Sequence, residues 1–502
     1  MRTLYRASHV RPLTARPPGE WLLIDGRHVE RVGTGDPPDA DRVVELPGAT
    51  IVPGFIDSHV HLTGTGVHAL APEIARTRSR EELLEALRRI AAASTGPLLV
   101  HGYDESRWPD RAVPSIADLD EVAGRPIAVV RVDGHMSLAN SAALREADVL
   151  ARDGVERDER ADPTGKVTRD ANDVLRRWFA THLAEDEIQR LQLAAASLAV
   201  AHGVTTVHEM SLPHERGLRD VEVLLGHRER LPVDVVTYLA TTDVPQVMDL
   251  GLSRIGGDLP VDGSIGARTA SLSSPYTDGG TGSRYFDDDQ LATFFGDGHL
   301  AGLQVGVHAI GDAAIEQVVS AWERVYRSLD SRGRRHFRAR RHRIEHFEMA
   351  SPDVVERAAA LGLGISVQPS FDAEWGAPGA LYDQALGWDR AETMNPIRAM
   401  LDRGVELGAG SDTPITTVDP LRTLAALEGH HAVAERLSRD QAIRLCTLGS
   451  ARLAHQEDKK GTLEPGKHAD FVALDDDPLG PTALDDIRPL LTVSLGREVY
   501  AA

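Results

Sequence analysis

Short runs of apolar and β-branched residues, each ending in a polar residue or a glycine, recur along the chain. Between most of them the apolar positions return at three- and four-residue steps. The first pattern predicts strands and the second amphipathic helices. The runs that read as strands are ATIVPGFIDSHVH (49–61), GVTTVHEM (203–210), VDVVTYLA (233–240), GGDLPVDG (256–263), LQVGVHAIG (303–311), RHRIEHFE (341–348), GLGISVQP (362–369) and VELGAGSD (405–412). IEQVVSAWERVYRSL and SPDVVERAAAL are helical stretches between them. Eight strands alternating with helices predict an α/β fold, a (β/α)8 TIM barrel over residues 53–460, with its chemistry at the C-terminal strand ends.

One interval is too long for a single crossover helix. The stretch from His61 to Val204 holds SREELLEALRRIAAAS, PIAVVRVDGH and DEIQRLQLAAASLAVAHG, which read as helix, strand and helix. An α/β lobe inserted at about 68–190 is the simplest account. WLLIDGRHVERVG near the start and GTLEPGKHADFVALDDDP near the end are short strands broken by Gly and Pro. They predict one small β unit drawn from residues 1–52 and 461–502.

Composition narrows the partners. The 502 residues, 42% of them hydrophobic, suffice for a large core. A net charge of −21, from 76 acidic and 55 basic residues, would repel a phosphate backbone, so nucleic acid is not expected. The single cysteine, Cys446, excludes an intrachain disulfide and any CxxC pair. No signal-like or membrane-spanning apolar run is present, and a cytoplasmic setting is expected.

The polar residues that close the strands carry the chemistry. His59 and His61 lie two apart on one strand, so both rings point the same way. His308, His346 and Asp412 end three further strands. Imidazoles with a carboxylate form a ligand set for zinc, and also for manganese, iron or nickel. In RIGGDLPVDGSIGARTASL, Asp258, Pro260 and Asp262 alternate with Leu259 and Val261, and the acids face either water or a metal-lined pocket. Asp412 is the natural proton shuttle, and His346 a stabiliser of the oxyanion.

This order of residues resembles the amidohydrolase superfamily of metal-dependent hydrolases. VPGFIDSHVHL, GVTTVHEM, DGSIGARTA, HAIGDAAI, RIEHFE, GSDTP and GTLEPGKHADFVALDDDP are similar to its YtcJ-like branch, which includes N-substituted formamide deformylases. GYDESRWP and VRVDGHMSLANSAAL, in the insertion, are similar to it too. The resemblance implies a composite β-sandwich built from both termini and hydrolysis of a non-peptide C–N bond of a small molecule. It also implies, four residues before the Asp of DGS, a lysine that is carboxylated and bridges two metals. This chain has Asp258 there, whose side chain is several bonds shorter.

Two arrangements are compatible with that difference. In one, a single ion, zinc first among the candidates, takes His59, His61, His308 and Asp412, with His346 bonded to the water. In the other, Asp258 still bridges, directly or through water, and His308 with His346 hold a second ion. The shorter reach of aspartate favours one tightly held ion, and a third reading has Asp258 paired with Arg268 or capping a turn.

His135, Arg268, Tyr103, Trp108 and Gln368 are candidate substrate contacts. Each has a plainer alternative: a loop histidine for His135, packing for Tyr103 and Trp108, and an ion pair to Asp262 or Asp258 for Arg268. His208 and Glu209 can support the ligands, while His430 and His431 read as solvated helix residues. The competing functions are a mononuclear deaminase of a cyclic amidine or nucleobase-like compound, and a barrel that serves only as a scaffold. A homo-oligomer is common among relatives.

Overall fold

The structure, a computed structural model, describes residues 1–131 and 136–502, with the side chains of residues 71–73 also outside the description. Eight strands form one parallel sheet in the order of the chain. They are β1 (Phe55–Val60), β2 (Val204–Ser211), β3 (Asp234–Leu239), β4 (Arg254–Ile255), β5 (Gln304–Ala309), β6 (Arg343–His346), β7 (Gly364–Val367) and β8 (Glu406–Ala409). The last strand returns to the first just past their ladders. There His61 N donates to Thr413 O at 3.0 Å and Asp412 N to His59 O at 2.9 Å, leaving a nearly closed barrel. A Cβ at Gly410 would collide with the backbone of His59, so glycine is what lets these two segments approach.

The crossover helices follow the local chemistry of the sequence. Pro352–Leu361 starts at Ser351, whose hydroxyl accepts from Val354 N, has proline in its first turn and stops at the left-handed Gly362. Asp312–Ser328 buries Ile315, Val318, Val319 and Trp322 on one face, the spacing of an amphipathic helix.

The fourth strand differs from the sequence expectation. Only Arg254–Ile255 pair as a strand, and GGDLPVDG continues as an irregular segment held by an isolated bridge between Pro260 and His308. Two left-handed glycines, Gly256 and Gly257, end the ladder, and Pro260 has no N–H to extend it.

Both ends of the chain meet in a second sheet of seven strands. Its order is Arg497–Ala501, Pro489–Ser494, Phe471–Leu474, Arg42–Pro53, Arg2–Val10, Gly19–Asp25, His28–Gly33. Tyr5, Leu22, Ile24, Ile51, Phe471 and Val493 share one buried cluster on it. The buried ammonium of Lys460 ties this sheet to the base of the barrel. Its Nζ donates to Thr206 Oγ1 at 2.9 Å and Asp234 Oδ2 at 2.8 Å, and lies 3.3 Å from Asp470 Oδ2.

By its internal packing the chain divides into two units, one of residues 62–197 with 212–231 and one of all the rest. The smaller unit has its own five-stranded sheet, ordered Leu98–Tyr103, Ile127–Arg131, Met136–Ala139, Pro163–Thr168, Val155–Arg157. Among the described residues no helix is long and apolar enough to cross a membrane.

Candidate metal centre

The side chains that point into the barrel form a polar column. Near its base Tyr238 donates to Gln304 Oε1 at 2.8 Å, and Arg343, fully buried, reaches Tyr238, His208 Nδ1 and Ser58 O. Arg343 also grips Glu345, two residues on and on the same face of β6, with Nε–Oε1 2.9 Å and Nη2–Oε2 2.8 Å. Glu345 Oε2 in turn accepts from His59 Nδ1 at 2.9 Å. Cation, carboxylate and imidazole thus run in sequence up to the C-terminal mouth.

At the mouth β6 stops alternating. His346 and Phe347 are both left-handed, with φ of 71° and 58°. This turn swings His346 inward beside Glu345, where strict alternation would send it outward. Asp412 is also left-handed, at φ 55°. Such residues cost of order 1–3 kcal/mol each and persist where the surroundings fix them.

For His59, His61 and His308 the outer partner sets the tautomer. His59 Nδ1–H donates to Glu345, and His61 Nδ1–H to the Met210 carbonyl at 2.9 Å, so both Nε2 lone pairs face inward. His308 Nε2–H points at the Gly263 carbonyl at 3.2 Å, which leaves its Nδ1 lone pair toward Asp258 Oδ1, also at 3.2 Å. Across from these lone pairs stand carboxylate oxygens. Asp412 Oδ1 is 3.3 Å from His59 Nε2 and 3.1 Å from His61 Nε2, while Asp258 Oδ2 is 3.8 and 3.5 Å from the same atoms. His346 Nε2 lies 3.3 Å from Asp258 Oδ1.

Acceptor therefore faces acceptor, an arrangement that only a proton or a cation between them relieves. Among the described residues His59 Nε2, His346 Nδ1 and Asp412 Oδ1 are buried with no hydrogen-bond partner. The electrostatics carry the same message. Burial alone would lower the pKa of His59, yet Asp412 and Asp258 outweigh it and push the ring up to about 10. For His308, burial is outweighed by Asp258 and Asp262, to about 9. Burial works to raise Asp258, but His59, His308, His346 and His61 hold it well below the usual carboxylate range. The donor set is three to four imidazoles and two carboxylates, and it suits a divalent ion of zinc type.

The amidohydrolase family profile matches residues 42–500. The chain belongs to the amidohydrolase family. It is similar to the putative amidohydrolase YtcJ of Bacillus subtilis, at 29% identity over 91% of this chain and 90% of that one. It is also similar to the N-substituted formamide deformylase of Arthrobacter pascens, at 24% identity over 96% and 95%. Among solved structures, an uncharacterized metal-dependent hydrolase from Pyrococcus furiosus superposes with a TM-score of 0.76 at 27% identity, over 96% of this chain and 100% of that one.

The structure brings His59, His61, Asp258, His308, His346 and Asp412 together, within reach of shared ions in overlapping groups. Gln368 follows β7, two residues after the inward Ser366 whose hydroxyl meets Ser58 Oγ at 2.7 Å. Its Nε2 donates to Ser366 O, and its Oε1 is buried without a partner among the described residues. Arg268 pairs with Asp278 at 3.0 Å and lies over Tyr276, so neither Asp258 nor Asp262 is its partner. Asp262 instead accepts from Ser271 N, Ile310 N and Gly311 N and staples its loop. Tyr103 and Trp108 lie in the apolar core of the smaller unit with Leu83, Leu87 and Val129, and Trp108 Nε1 donates to Thr77 O at 2.9 Å. His135 lies outside the described residues.

Two readings need correction. His430 and His431 are not solvated: His430 is 1% exposed, its Nε2 donating to Asn395 O, and His431 is held by Asp372. Burial is the reason, since each ring has a carbonyl or carboxylate to satisfy it. Sequence reasoning also passed over Arg343, Glu345 and Asp57, whose Oδ1 accepts from His59 N at 3.1 Å and Ser411 N at 3.0 Å. The signal was present in HRIEH, where two opposite charges at i and i+2 share one face of a buried strand.

Proposed function

We propose that this chain is a metal-dependent hydrolase that cleaves a non-peptide, amide-like C–N bond of a small molecule with water. The observation that carries this reading is the set of imidazole lone pairs from His59, His61 and His308 facing Asp412 and Asp258 at the barrel mouth. His59, His61 and Asp412 would hold the ion, with zinc the first expectation and Glu345 orienting His59 from behind. A divalent ion there supplies a Lewis acid and lowers the pKa of a bound water to about 7. Asp412 carries the proton: it takes one from the attacking water and returns it to the leaving nitrogen, so that carboxylate and amine are the products. With a single ion bound, His346, its ring centroid 5.1 Å from that of His59, is the group left to stabilise the developing oxyanion.

The substrate side follows from the same mouth. Gln368 Oε1 is the acceptor for a substrate N–H. Phe371, nearly parallel to His346, and Trp375 beside it form an aromatic wall for an apolar substituent. The terminal sheet folded as a sandwich, and the smaller unit as a lobe inserted in the barrel, complete this reading of the architecture.

The test is a metal-loaded preparation assayed on a panel of N-acyl and N-formyl amines, with His59→Ala and Asp412→Asn alongside. Carboxylate and amine should appear in equal amounts, and His59→Ala should lose the ion together with turnover. Full metal occupancy in His59→Ala, or ammonia released from a cyclic amidine in place of amide cleavage, would overturn the assignment.

A further inference from the structure

We propose that Asp258 itself, with no extension derived from carbon dioxide, divides the centre into two cation positions: Oδ2 serves His59 and His61, and Oδ1 serves His308 and His346. The inference rests on the hydrolase reading above and goes beyond it in the number of ions and in how the dividing carboxylate is supplied.

The two oxygens of Asp258 face different pairs of rings. Oδ2 is 3.8 and 3.5 Å from Nε2 of His59 and His61, whereas Oδ1 is 3.2 Å from His308 Nδ1 and 3.3 Å from His346 Nε2. His59, His61 and Asp258 form one group able to hold an ion, Asp258, His308 and His346 form another, and Asp258 is the residue they share. A carboxylate engaged in one ion pair would have one charged partner, whereas the two oxygens of Asp258 are divided between two pairs of rings. Arg268, the expected partner in that case, is bound to Asp278.

Reach is the objection that the sequence raises against so short a side chain, and the backbone answers it. Gly256 and Gly257 have φ of 81° and 65°. A Cβ on Gly256 would be driven into the Gly306 carbonyl of β5, and one on Gly257 would come within 2.6 Å of Tyr238 Cβ and 2.8 Å of Met210 Sδ. Gly306 faces them with no side chain of its own, its hypothetical Cβ 2.9 Å from Gly257 N. The segment after β4 thus lies inside the space that side chains would otherwise occupy. It is then pinned against β5, with His308 N donating to Leu259 O and Val261 N to His308 O, both at 3.0 Å. Asp258 begins its short reach from an advanced position, next to the histidine it serves. A group already seated between the ring pairs has no need of a carboxylated lysine to span them.

The experiment is metal counting without relying on turnover. Apo-protein is reconstituted with Zn²⁺ or Mn²⁺ in buffer stripped of carbon dioxide and again with added bicarbonate, and analysed for metal per chain. The Mn²⁺ form is also examined by electron paramagnetic resonance. The expectation is two ions per chain in both buffers and a spin-coupled Mn²⁺ pair, as ions about 3.5–4 Å apart would give. Asp258→Asn, checked for folding by circular dichroism, should hold at most one ion and recover none with bicarbonate. One ion in the wild type, a second ion that appears only with bicarbonate, or two ions in Asp258→Asn would each overturn the proposal. Should Asp258→Asn not fold, the wild-type counts and the spin coupling decide alone. One ion with turnover intact would sink the bridge and leave the hydrolase standing, whereas no ion at all would sink both.

Discussion

A histidine that ligates through one nitrogen must satisfy the other, and at this centre the outer nitrogen does the orienting. The chain from Arg343 through Glu345 to His59 fixes which lone pair faces inward without touching the substrate. Glu345→Gln keeps the shape but removes the charge that makes the ring a strong base. Chelator competition should show ion affinity reduced by about 10–100-fold, with the fold unchanged. Unchanged affinity would mean the carboxylate serves packing alone. Asp412 is proposed to differ, its carboxylate both facing the ion beside His59 and His61 and carrying the proton. Asp412→Asn should cut kcat by about 10²–10⁴-fold while the protein still melts cooperatively; an active variant would show that another group carries the proton.

At the scale of strands and turns, function depends on places where regular structure stops. β4 is cut short by Gly256 and Gly257, and β6 is turned by His346 and Phe347. Gly256→Ala should cost more than about 1 kcal/mol in chemical denaturation, since a left-handed φ is forced on a residue with a side chain. If Asp258 divides two ions as proposed, the substitution should also weaken the second by displacing that carboxylate. A variant that melts like wild type and binds metal equally well would remove the backbone from the explanation. The same irregular places limit what a sequence reveals. Alternation and helical spacing expose the eight strands and the order HxH, His, His, Asp, because periodicity is a local property. They cannot show that GGDLPVDG leaves the ladder, because glycine's left-handed conformation is chosen by what Gly306 leaves open on the neighbouring strand. Nor can they separate a solvated His430 from a buried one, since helix-like spacing around EGHHAV is silent about Asn395 and Asp372, which lie far away in the chain. Tyr103 and Trp108 read either as substrate contacts or as packing, and their surroundings are the apolar Leu83, Leu87 and Val129.

For the whole molecule, a buried neutral histidine makes stability sensitive to acid. His342 stacks on Trp322 at 4.2 Å and accepts from Val305 N at 3.1 Å. Burial, then the charges of His299, Arg340 and His455, hold its pKa well below the ordinary value of 6.5. Below that value the unfolded chain takes up a proton that the folded one refuses, so this group leaves stability unaffected above pH 6.5 and lowers it as the pH falls further. Urea unfolding of the metal-free protein should show the gap between wild type and His342→Gln narrowing by about 1.4 kcal/mol from pH 7.5 to 5.5. A gap of constant size would mean that the ring takes up its proton as readily in the fold as in the unfolded chain, and a gap that widens as the pH falls would mean that it is charged in the fold.

The most direct measurement on the centre itself is anomalous diffraction from a zinc-soaked crystal, collected on both sides of the zinc edge. The account predicts strong anomalous density bounded by His59 Nε2, His61 Nε2 and Asp412 Oδ1. Density that instead appears only beside Asp372 and His431, or no density at all after metal loading, would contradict it.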